Sequence, residues 1–285
     1  MKVVKFLGGL GNQMFQYAFY LSLKQHFGKV KADLHGFDDY ELHHGFELEK
    51  VFGIQLEKAN AFDLRIYTSD KRDWLTRKLR RIYGTKNAWY LERQEFGYDK
   101  NIYHDSSPRY FWGYWQHQLY HHTITAQLRQ DFTFKEDLTG ENLTLVQQLE
   151  NKTSVAVHVR RGDYLGHPVL GDICDLEYYQ QAIELFRQKV ENPHFVVFSN
   201  DIQWCKKHLS LAGAVFVDWN KAKNSYRDMQ LMTYCNHLII ANSSFSWWGA
   251  WLNSNEGKIV VSPRKWVNTP GVDTLGMIQP NWITL

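Results

Sequence analysis

The residues best suited to chemistry follow a short apolar run in the middle of the chain. The β-branched segment Val155–Val159 ends abruptly in Arg160, Arg161, Gly162 and Asp163. Two adjacent guanidinium groups indicate an anionic ligand, because arginine binds a phosphate or carboxylate through two parallel hydrogen bonds. The glycine permits a sharp turn, and the aspartate can orient one of the guanidinium groups. A structural ion pair between Arg161 and Asp163 is the alternative.

Similar apolar runs recur through the C-terminal half, and each one ends in polar residues. The runs are Val155–Val159, Phe195–Phe198, Val215–Val217, Leu238–Ile240 and Ile259–Val261. Because helical segments separate them, we predict a parallel sheet whose carboxyl ends share one edge, where ligands bind in open α/β sheets. Asp201 and a helix start at Ser243 and Ser244 then lie on the same edge as Arg160.

This edge suits a nucleoside diphosphate. Arginine and the amides of a helix start bind phosphates. The carboxylate of Asp201 can accept the two parallel hydrogen bonds that guanine donates and that adenine and uracil do not. Alternatively, Asp201 caps the helix that begins at Ile202. The chain has no Asp-x-Asp sequence, so we expect fixed cations and amides, with no metal, to neutralise the diphosphate.

The N-terminus predicts a strand at Val3–Leu7, a glycine loop at Gly8–Gln13 and then a helix. The loop is similar to the dinucleotide fingerprint, but Met14 stands where the third glycine belongs. Its glycines would let a ligand approach the backbone, and the amides opening the helix would favour negative charge. A nicotinamide-dependent oxidoreductase is therefore an alternative class, supported by the acid Asp33 about twenty residues beyond the loop.

A second strand at Val30–Leu34 precedes a loop that carries Asp38, Asp39 and His43. We interpret these three residues as candidates for binding an acceptor. A metal site is the alternative, but the spacing matches no familiar ligand set.

Three further elements are predicted before a linker at residues 135–141. They are a helix around Trp74–Tyr83, an aromatic strand at Arg109–Trp115, and a helix that carries Leu119, Ile124, Leu128 and Phe132. The linker divides the chain into domains 1–140 and 141–285.

Composition narrows the possible partners. The net charge of +3 is too small to indicate nucleic acid, and the three scattered cysteines indicate neither a disulfide framework nor a structural zinc site. The eleven tryptophans and sixteen tyrosines exceed the needs of a core and suit stacking on sugars. The basic run Lys71–Arg81 is typical of a solvated helix face or of a contact with anionic lipid or acidic glycan. No apolar stretch reaches about eighteen residues, so we expect a cytoplasmic protein, with peripheral contact to the membrane left open.

Four motifs resemble, in order, those of the α-1,2-fucosyltransferase family. They are Gly8-Gly9-Leu10-Gly11-Asn12-Gln13-Met14-Phe15-Gln16-Tyr17-Ala18, His158-Val159-Arg160-Arg161-Gly162-Asp163-Tyr164, Phe198-Ser199-Asn200-Asp201 and Asn242-Ser243-Ser244-Phe245-Ser246-Trp247-Trp248. The resemblance covers nearly the whole chain and is to the bacterial, soluble form of the family.

This resemblance implies transfer of L-fucose from GDP-fucose to O2 of galactose, with inversion and without a metal or other cofactor. The implied fold is α/β of the GT-B type, with two facing Rossmann-like domains. The N-terminal domain would bind a galactose-terminated oligosaccharide or lipid-linked glycan. The C-terminal domain, with a five-stranded parallel sheet, would bind GDP-fucose.

The resemblance also implies roles for particular residues. Arg160 would hold the β-phosphate, His158 and Asp201 the guanine, and Ser243, Ser244 and Phe245 the diphosphate. The glycine-loop residues Gly9, Gly11, Asn12 and Gln13 would also contact GDP-fucose. The base of the α-1,6 relatives has no counterpart here, because the aligned position falls near Pro168. Asp163 is our candidate base, with Asp38, Asp39 and His167 as rivals. Another GDP-sugar glycosyltransferase and a non-catalytic glycan-binding module remain alternatives.

Overall fold

The computed structural model describes residues 1–37, 44–68 and 73–285. The chain forms two compact units, Met1–Lys135 and Glu136–Leu285, each built on its own parallel sheet. The sequence-based boundary followed residue 140. The assignment of the acceptor to the first unit and of GDP-fucose to the second stays a prediction.

The described strands and helices alternate along much of the chain. The strands are β1 Lys2–Lys5, β2 Val30–Asp33, β3 Trp89–Leu91, β4 Arg109–Trp112, β5 Ser154–Val159, β6 His194–Ser199, β7 Val215–Val217, β8 His237–Ile239, β9 Val260–Ser262 and β10 Ile283–Thr284. The α-helices are α1 Leu10–Phe27, α2 Leu48–Phe52, α3 Ala61–Tyr67, α4 Trp74–Ile82, α5 Thr125–Asp131, α6 Gly140–Leu149, α7 Leu176–Lys189, α8 Ile202–His208, α9 Tyr226–Met232 and α10 Ser244–Leu252. Short 3₁₀ helices span Lys100–His104, Gln118–Tyr120, His122–Ile124, Gly162–Tyr164, Ala222–Asn224 and Leu275–Met277.

The sheet of the second unit has the strand order β10-β9-β8-β5-β6-β7, and every pair is parallel. Numbered within the unit and read from β7, this is the Rossmann order 3-2-1-4-5-6. The five predicted strands are all present. The predicted total of five was wrong, because the two residues of β10 pair with Val261 and Ser262 and add a sixth strand at the edge.

Burial on both faces explains why these strands are continuous apolar runs. Every residue of β5 is buried. Helix α7 covers one face with Tyr179, Ala182, Ile183 and Phe186, which recur at helical spacing and pack in the same core as β5. The sheet is therefore a rigid base for the residues at its carboxyl edge.

The sheet of the first unit has the order β2-β1-β4-β3, again all parallel. Helix α1 packs on one face, where the ring of Phe19 stacks on Trp115 at a centroid distance of 4.2 Å and meets Phe111 edge-on at 5.3 Å. The other face packs Val3 and Tyr110 against residues of α3, including Ile66. The predicted sequence of strand, glycine loop, helix and strand is confirmed.

The helix predicted to carry Leu119, Ile124, Leu128 and Phe132 is only partly present. Two 3₁₀ turns precede it, and the α-helix begins at Thr125. The side chain of His117 accepts a hydrogen bond from the amide of Leu119 and so closes the first of these turns. By contrast, the helix predicted around Trp74–Tyr83 is confirmed as α4.

The predicted α/β class is confirmed, because each unit is built on its own parallel sheet. Among the helices of the described ranges, none is both long enough and apolar enough to cross a membrane.

Candidate active site

The topological switch point of the second unit lies between β5 and β8, because the chain extends the sheet on one side of β5 and then on the other. Several predicted residues meet there. The hydroxyl of Tyr164 after β5 donates to the carbonyl of Asn242 after β8 at 3.3 Å. The rings of His158 and Phe245 lie 5.7 Å apart. This edge is where a Rossmann-like sheet binds its ligand.

Arg160 has a fixed guanidinium group with unused hydrogen-bonding capacity. Its Nη2 donates to Oδ2 of Asp163 at 2.8 Å, and the group lies 5.5 Å from the ring centroid of Tyr164. Its Nε is buried and has no hydrogen-bond partner among the described residues. A buried donor without a partner is uncommon, and an anionic ligand would satisfy it.

The loop that carries Arg160 is folded around Asn200 from the end of β6. The amide oxygen of Asn200 accepts from the backbone of Arg161 at 2.9 Å, and its Nδ2 donates to Oδ1 of Asp163 at 3.3 Å. A Cβ on Gly162 would lie 2.4 Å from that Nδ2, so a glycine is needed there. The predicted pairing of Arg161 with Asp163 is wrong, because Arg160 takes that carboxylate instead.

Arg161 turns to the next strand end. Its Nε lies 3.4 Å from Oδ2 of Asp201, and its guanidinium group lies 4.2 Å from the ring centroid of Trp204. Asp201 also caps α8, because its Oδ1 accepts from the amide of Trp204 at 3.2 Å. The capping alternative for Asp201 is therefore confirmed. A carboxylate has about four acceptor positions, so the guanine contact stays a prediction.

His158 is a buried, neutral imidazole. Burial, reinforced by the charge of Arg160, lowers its pKa to about 3. Its Nδ1 has no hydrogen-bond partner among the described residues. The hydroxyl of Tyr179 donates to its backbone carbonyl at 3.2 Å and helps to hold the strand end. A neutral ring of this kind can donate one hydrogen bond and accept one, as a nucleobase requires.

Helix α10 opens towards the same edge. Ser243 is its N-cap, makes no side-chain capping bond and is followed by no acidic residue in the first turn. Ser244 and Phe245 form the first turn and are partly exposed. The positive end of the helix dipole therefore lies at the carboxyl edge that also carries Arg160, and the first turn of the helix supplies no carboxylate to offset it.

The tryptophans of α10 belong to the core. Trp247 and Trp248 are completely buried, and Nε1 of Trp247 donates to the carbonyl of Met277 at 2.6 Å. Asn242 fixes the preceding turn by donating to the carbonyls of Leu170 and Trp266, both at 3.1 Å. These two rings therefore pack in the core and are not available to stack on a sugar.

In the first unit, the side chain of Gln13 hydrogen-bonds to the backbone. Its side chain is 0% exposed, and its Nε2 donates to the carbonyls of Gly8 and Gly45, both at 2.9 Å. Its Oε1 accepts from the amide of Glu47 at 2.8 Å. The side chain of Gln13 thus ties the glycine loop to residues 45–47, and a contact of this residue with GDP-fucose stays a prediction.

Glu47 was not predicted and changes how the glycine loop is understood. Its carboxyl group is buried and bonded to the backbone of Leu10, at the start of α1, whose N-cap Gly9 supplies no side chain. Desolvation raises the pKa of Glu47 to about 7. The first turn of α1, which includes the buried Gly11, thus already has an acidic group from its own chain. No sequence pattern around Glu47 indicates this role.

Asn12 connects the glycine loop to the segment that follows β4. Its Oδ1 accepts from Nε2 of Gln116 at 2.8 Å. Gly8 adopts a φ of 77°, and a Cβ there would lie 2.6 Å from Nδ2 of Asn12. Trp112 at the end of β4 and Tyr114 just after it are large rings that are each 37% exposed. The aromatic run Arg109–Trp115 was predicted as a strand, but none of its residues was predicted as a site residue.

Asp33 does not serve the oxidoreductase alternative. Its side chain is 3% exposed, accepts from the hydroxyl of Tyr110 at 2.5 Å and from the amide of His35 at 2.8 Å, and lies 3.4 Å from Nζ of Lys5. A carboxylate that is buried and bonded in this way cannot reach a ribose hydroxyl.

The remaining candidates divide into two groups. Asp38, Asp39 and His43 lie outside the described residues. Nδ1 of His167 accepts from the amides of Val169 and Leu170 at 3.2 and 3.1 Å, so this nitrogen is already engaged by the backbone. Within residues 1–37, 44–68 and 73–285, no group of three or more His, Cys, Asp or Glu could hold a metal ion.

Comparison with known proteins agrees with this geometry. The model of glycosyl transferase family 11 matches residues 1–285. An α-1,2-colitosyltransferase from Escherichia coli is 32% identical, with 99% of this chain and 98% of that protein covered. The O-antigen biosynthesis glycosyltransferase WbnK from Escherichia coli is 30% identical, with 98% of each chain covered. Galactoside α-(1,2)-fucosyltransferase 2 from Gorilla gorilla gorilla is 28% identical, with 90% of this chain and 70% of that protein covered.

The family model spans the whole chain, and two relatives reach 30% identity or more over nearly their full length. These matches favour a transferase over the oxidoreductase and the glycan-binding module. The chain therefore belongs to glycosyl transferase family 11 and is a glycosyltransferase.

Proposed function

We propose that this glycosyltransferase transfers L-fucose from GDP-fucose to O2 of a terminal galactose, with inversion at the anomeric carbon and without a metal. The acceptor is an oligosaccharide or a lipid-linked glycan. The observation that carries the proposal is the guanidinium group of Arg160, whose buried Nε has no partner among the described residues and which follows β5 at the same carboxyl edge of the sheet where α10 begins. This pairing of a cation with helix amides suits a diphosphate.

The donor side of the mechanism is electrostatic. As the bond from the anomeric carbon to GDP breaks, negative charge grows on the β-phosphate. Arg160 is held in place by Asp163 and offers fixed donors to that charge. The amides of α10 add a fixed positive field, so little reorganisation is needed at the transition state.

His158 and Asp201 recognise the guanine of the donor. Only guanine presents two adjacent donors to a carboxylate, and the neutral ring of His158 can supply the complementary bond. Arg161 supports this arrangement, because it pairs with Asp201 and stacks on Trp204.

Asp163 is better suited to positioning than to proton abstraction. One carboxylate oxygen accepts from Arg160 and the other from Asn200. Both oxygens are therefore engaged in holding the loop. A transition state close to an oxocarbenium ion needs only modest help in removing the acceptor proton. Asp38 and Asp39 stay candidates for that help.

The acceptor side of the proposal rests on the first unit. The exposed rings belong to Trp112, the last residue of β4, and to Tyr114, two residues later; β4 pairs with β1 ahead of the glycine loop. Flat aromatic rings pack against the apolar faces of pyranose sugars. We assign these two rings to the galactoside, together with Asp38, Asp39 and His43.

A second candidate is the transfer of a closely related GDP-linked deoxy sugar. It is favoured by the relative named as an α-1,2-colitosyltransferase, which is 32% identical over 99% of this chain. Colitose lacks one ring hydroxyl group of fucose. A site that hydrogen-bonds this hydroxyl rejects the analogue strongly, whereas a site without the bond accepts both sugars.

Product analysis tests the proposal and separates the two donors. The protein is incubated with GDP-fucose or GDP-colitose and a panel of galactosides, and the linkage and anomeric configuration of each product are determined by NMR. We expect an α-linkage to O2 of galactose with GDP-fucose. Free fucose as the only product would overturn the acceptor assignment, and a product with GDP-colitose alone would overturn the donor assignment.

We also propose a cytoplasmic location, where nucleotide sugars are made.

A further inference from the structure

Helix α4 exposes a surface that the fold does not use. We call it the α4 face and define it by Trp74, Leu75, Arg77, Lys78, Arg81 and Ile82. Trp74 is 70% exposed, Ile82 is 68% exposed and Leu75 is 46% exposed. Single exposed apolar residues are ordinary, but three large ones on a helix of nine residues form a patch. Phe62 and Tyr83, whose exposed rings meet edge-on at 5.6 Å, continue it.

The opposite face of α4 attaches the helix to the first unit. Thr76 is completely buried, accepts from Nε of Arg65 at 2.7 Å and donates to the N-cap Asp73 at 2.6 Å. Leu79 packs against the core that contains Val3. Arg80 donates to the backbone carbonyls of Arg65 and Thr68. The helix is therefore held firmly from one side, and the α4 face is not required for that attachment.

The α4 face is also strongly cationic. Arg77, Lys78 and Arg81 are all exposed. The ammonium group of Lys78 lies 5.4 Å from the ring centroid of Trp74, so cation and aromatic ring adjoin. Asp73, the carboxylate at the start of the helix, is already engaged by Thr76 and Arg65.

The neighbouring helix α3 adds no free negative charge. Its Asp63 forms an ion pair with Lys31 at 2.6 Å and closes the capping box with Asn60. Lys71 and Arg72 of the predicted basic run lie outside the described residues, and the surface does not depend on them.

We propose that the α4 face binds the surface of an anionic lipid bilayer. Trp74, Leu75 and Ile82 enter the boundary between headgroups and acyl chains, while the three cations contact lipid phosphates. Helices that lie in a membrane interface combine basic residues with tryptophan and large aliphatic residues in this way. Each cation near an anionic membrane contributes about 1 kcal/mol, which is a change of about fivefold in binding.

The size of the surface favours a bilayer over a protein partner. A helix of nine residues is about 14 Å long and roughly 10 Å wide. A stable protein interface needs about 800 Å² on each side, which is more than a face of these dimensions offers by itself. A bilayer needs no such area, because binding adds up from a few inserted side chains and phosphate contacts. This inference is independent of the proposed donor and acceptor.

Sedimentation with lipid vesicles tests the proposal on the full chain. One set of vesicles is phosphatidylcholine alone, and the other contains phosphatidylglycerol as well. We expect the protein to bind the anionic vesicles, to bind the neutral ones weakly, and to be released as the salt concentration rises. The double variant R77E/K78E should bind the anionic vesicles at least about tenfold more weakly. Its matched control, K189E/K207E, makes the same change in net charge at exposed sites of the second unit.

A second pair of variants tests the apolar part. Trp74→Ser with Ile82→Ser should also weaken binding, whereas Tyr234→Ser with Leu275→Ser, at exposed positions of the second unit, should not. Thermal melts establish that each variant is folded. Failure of the wild-type protein to bind anionic vesicles would overturn the proposal and leave a protein partner for this face. Equal binding by the α4 variants and their controls would overturn it too.

Discussion

Arg160 and Arg161 are adjacent in the sequence but contact different residues. Arg160 is held by Asp163 and keeps a buried donor for a ligand, whereas Arg161 bonds the helix cap Asp201 and stacks on Trp204. Asn200 separates the two by bonding the backbone of Arg161 and the carboxylate of Asp163. In the proposed reaction the first arginine acts on the donor, and the second supports the site.

Replacing Arg160 by lysine keeps the positive charge but removes the planar pair of donors. We expect kcat to fall more than KM for the donor rises, with a loss of roughly 2–4 kcal/mol in transition-state stabilisation. Steady-state kinetics measure both constants, and Arg187→Lys on α7 is the control. A rise in KM with kcat unchanged would mean that Arg160 binds the donor without acting on the developing charge.

Asp201→Asn separates the capping role of this residue from base recognition. Asparagine caps helices as well as aspartate does, so α8 and the melting temperature should be preserved. Loss of the carboxylate should weaken the binding of GDP by about 1.5–3 kcal/mol and the binding of UDP much less, because only guanine donates two parallel hydrogen bonds to a carboxylate. Calorimetry with both nucleotides measures the difference. Asp175→Asn, at the N-cap of α7, is the matched control. Equal losses of affinity for GDP and UDP would mean that Asp201 caps α8 and does not recognise guanine.

The types of the site residues could be predicted from the sequence, but their pairings could not. The apolar run before Arg160 indicates where a strand ends, and this fixes the residues of the edge. Which carboxylate each guanidinium group meets depends on the lateral neighbour, since Asp201 follows β6 and reaches Arg161 only because β5 and β6 are adjacent. The bonds that bury the side chain of Gln13 could not be predicted for the same reason, because their partners come from residues 45–47.

At the scale of elements, the start of α1 depends on a distant residue. Its N-cap Gly9 provides no side chain, and the buried carboxyl group of Glu47 bonds the backbone of Leu10 instead. This carboxyl group has a pKa raised from 4.5 to about 7, chiefly because burial disfavours its charged form.

Glu47→Gln tests the titration of this group. In the folded protein Glu47 keeps its proton up to about pH 7, whereas in the unfolded chain it loses the proton near pH 4.5. The wild-type stability should therefore fall as the pH rises through this interval, and the variant should lack that fall. The difference in the free energy of unfolding between the wild-type protein and the variant should change by about 3 kcal/mol between about pH 4.5 and pH 7. Denaturant titrations across the interval measure it, with the exposed Glu49→Gln as control. Parallel pH profiles for Glu47→Gln and the wild-type protein would contradict the assignment.

The regular elements were predictable where pattern and length were strong. The five apolar runs of the second unit are each flanked by polar residues, and burial on both faces makes them continuous. β10 could not be recognised, because two residues carry no periodicity and are a strand only through pairing with β9. β3 was not predicted for a related reason, since a strand of three residues, Trp89–Leu91, is too short to show a periodicity.

At the scale of the whole molecule, the α/β architecture supplies the switch point, and the chain supplies cations and helix amides there. We expect transfer activity to survive a chelator, because Arg160 and α10 take the role that a divalent ion has in Asp-x-Asp enzymes. Activity is assayed with EDTA, and then with added magnesium or manganese. Complete loss with EDTA that either ion restores would refute a metal-free reaction.

The central claim is that the β-phosphate of the donor is bound by Arg160 at the switch point of the second unit. Calorimetry of GDP and GMP, which lacks the β-phosphate, tests it on the wild-type protein and on Arg160→Ala. We predict that the wild-type protein prefers GDP and that the variant loses about 1.5–3 kcal/mol of this preference while binding GMP nearly as before. An unchanged preference in the folded variant would contradict the claim.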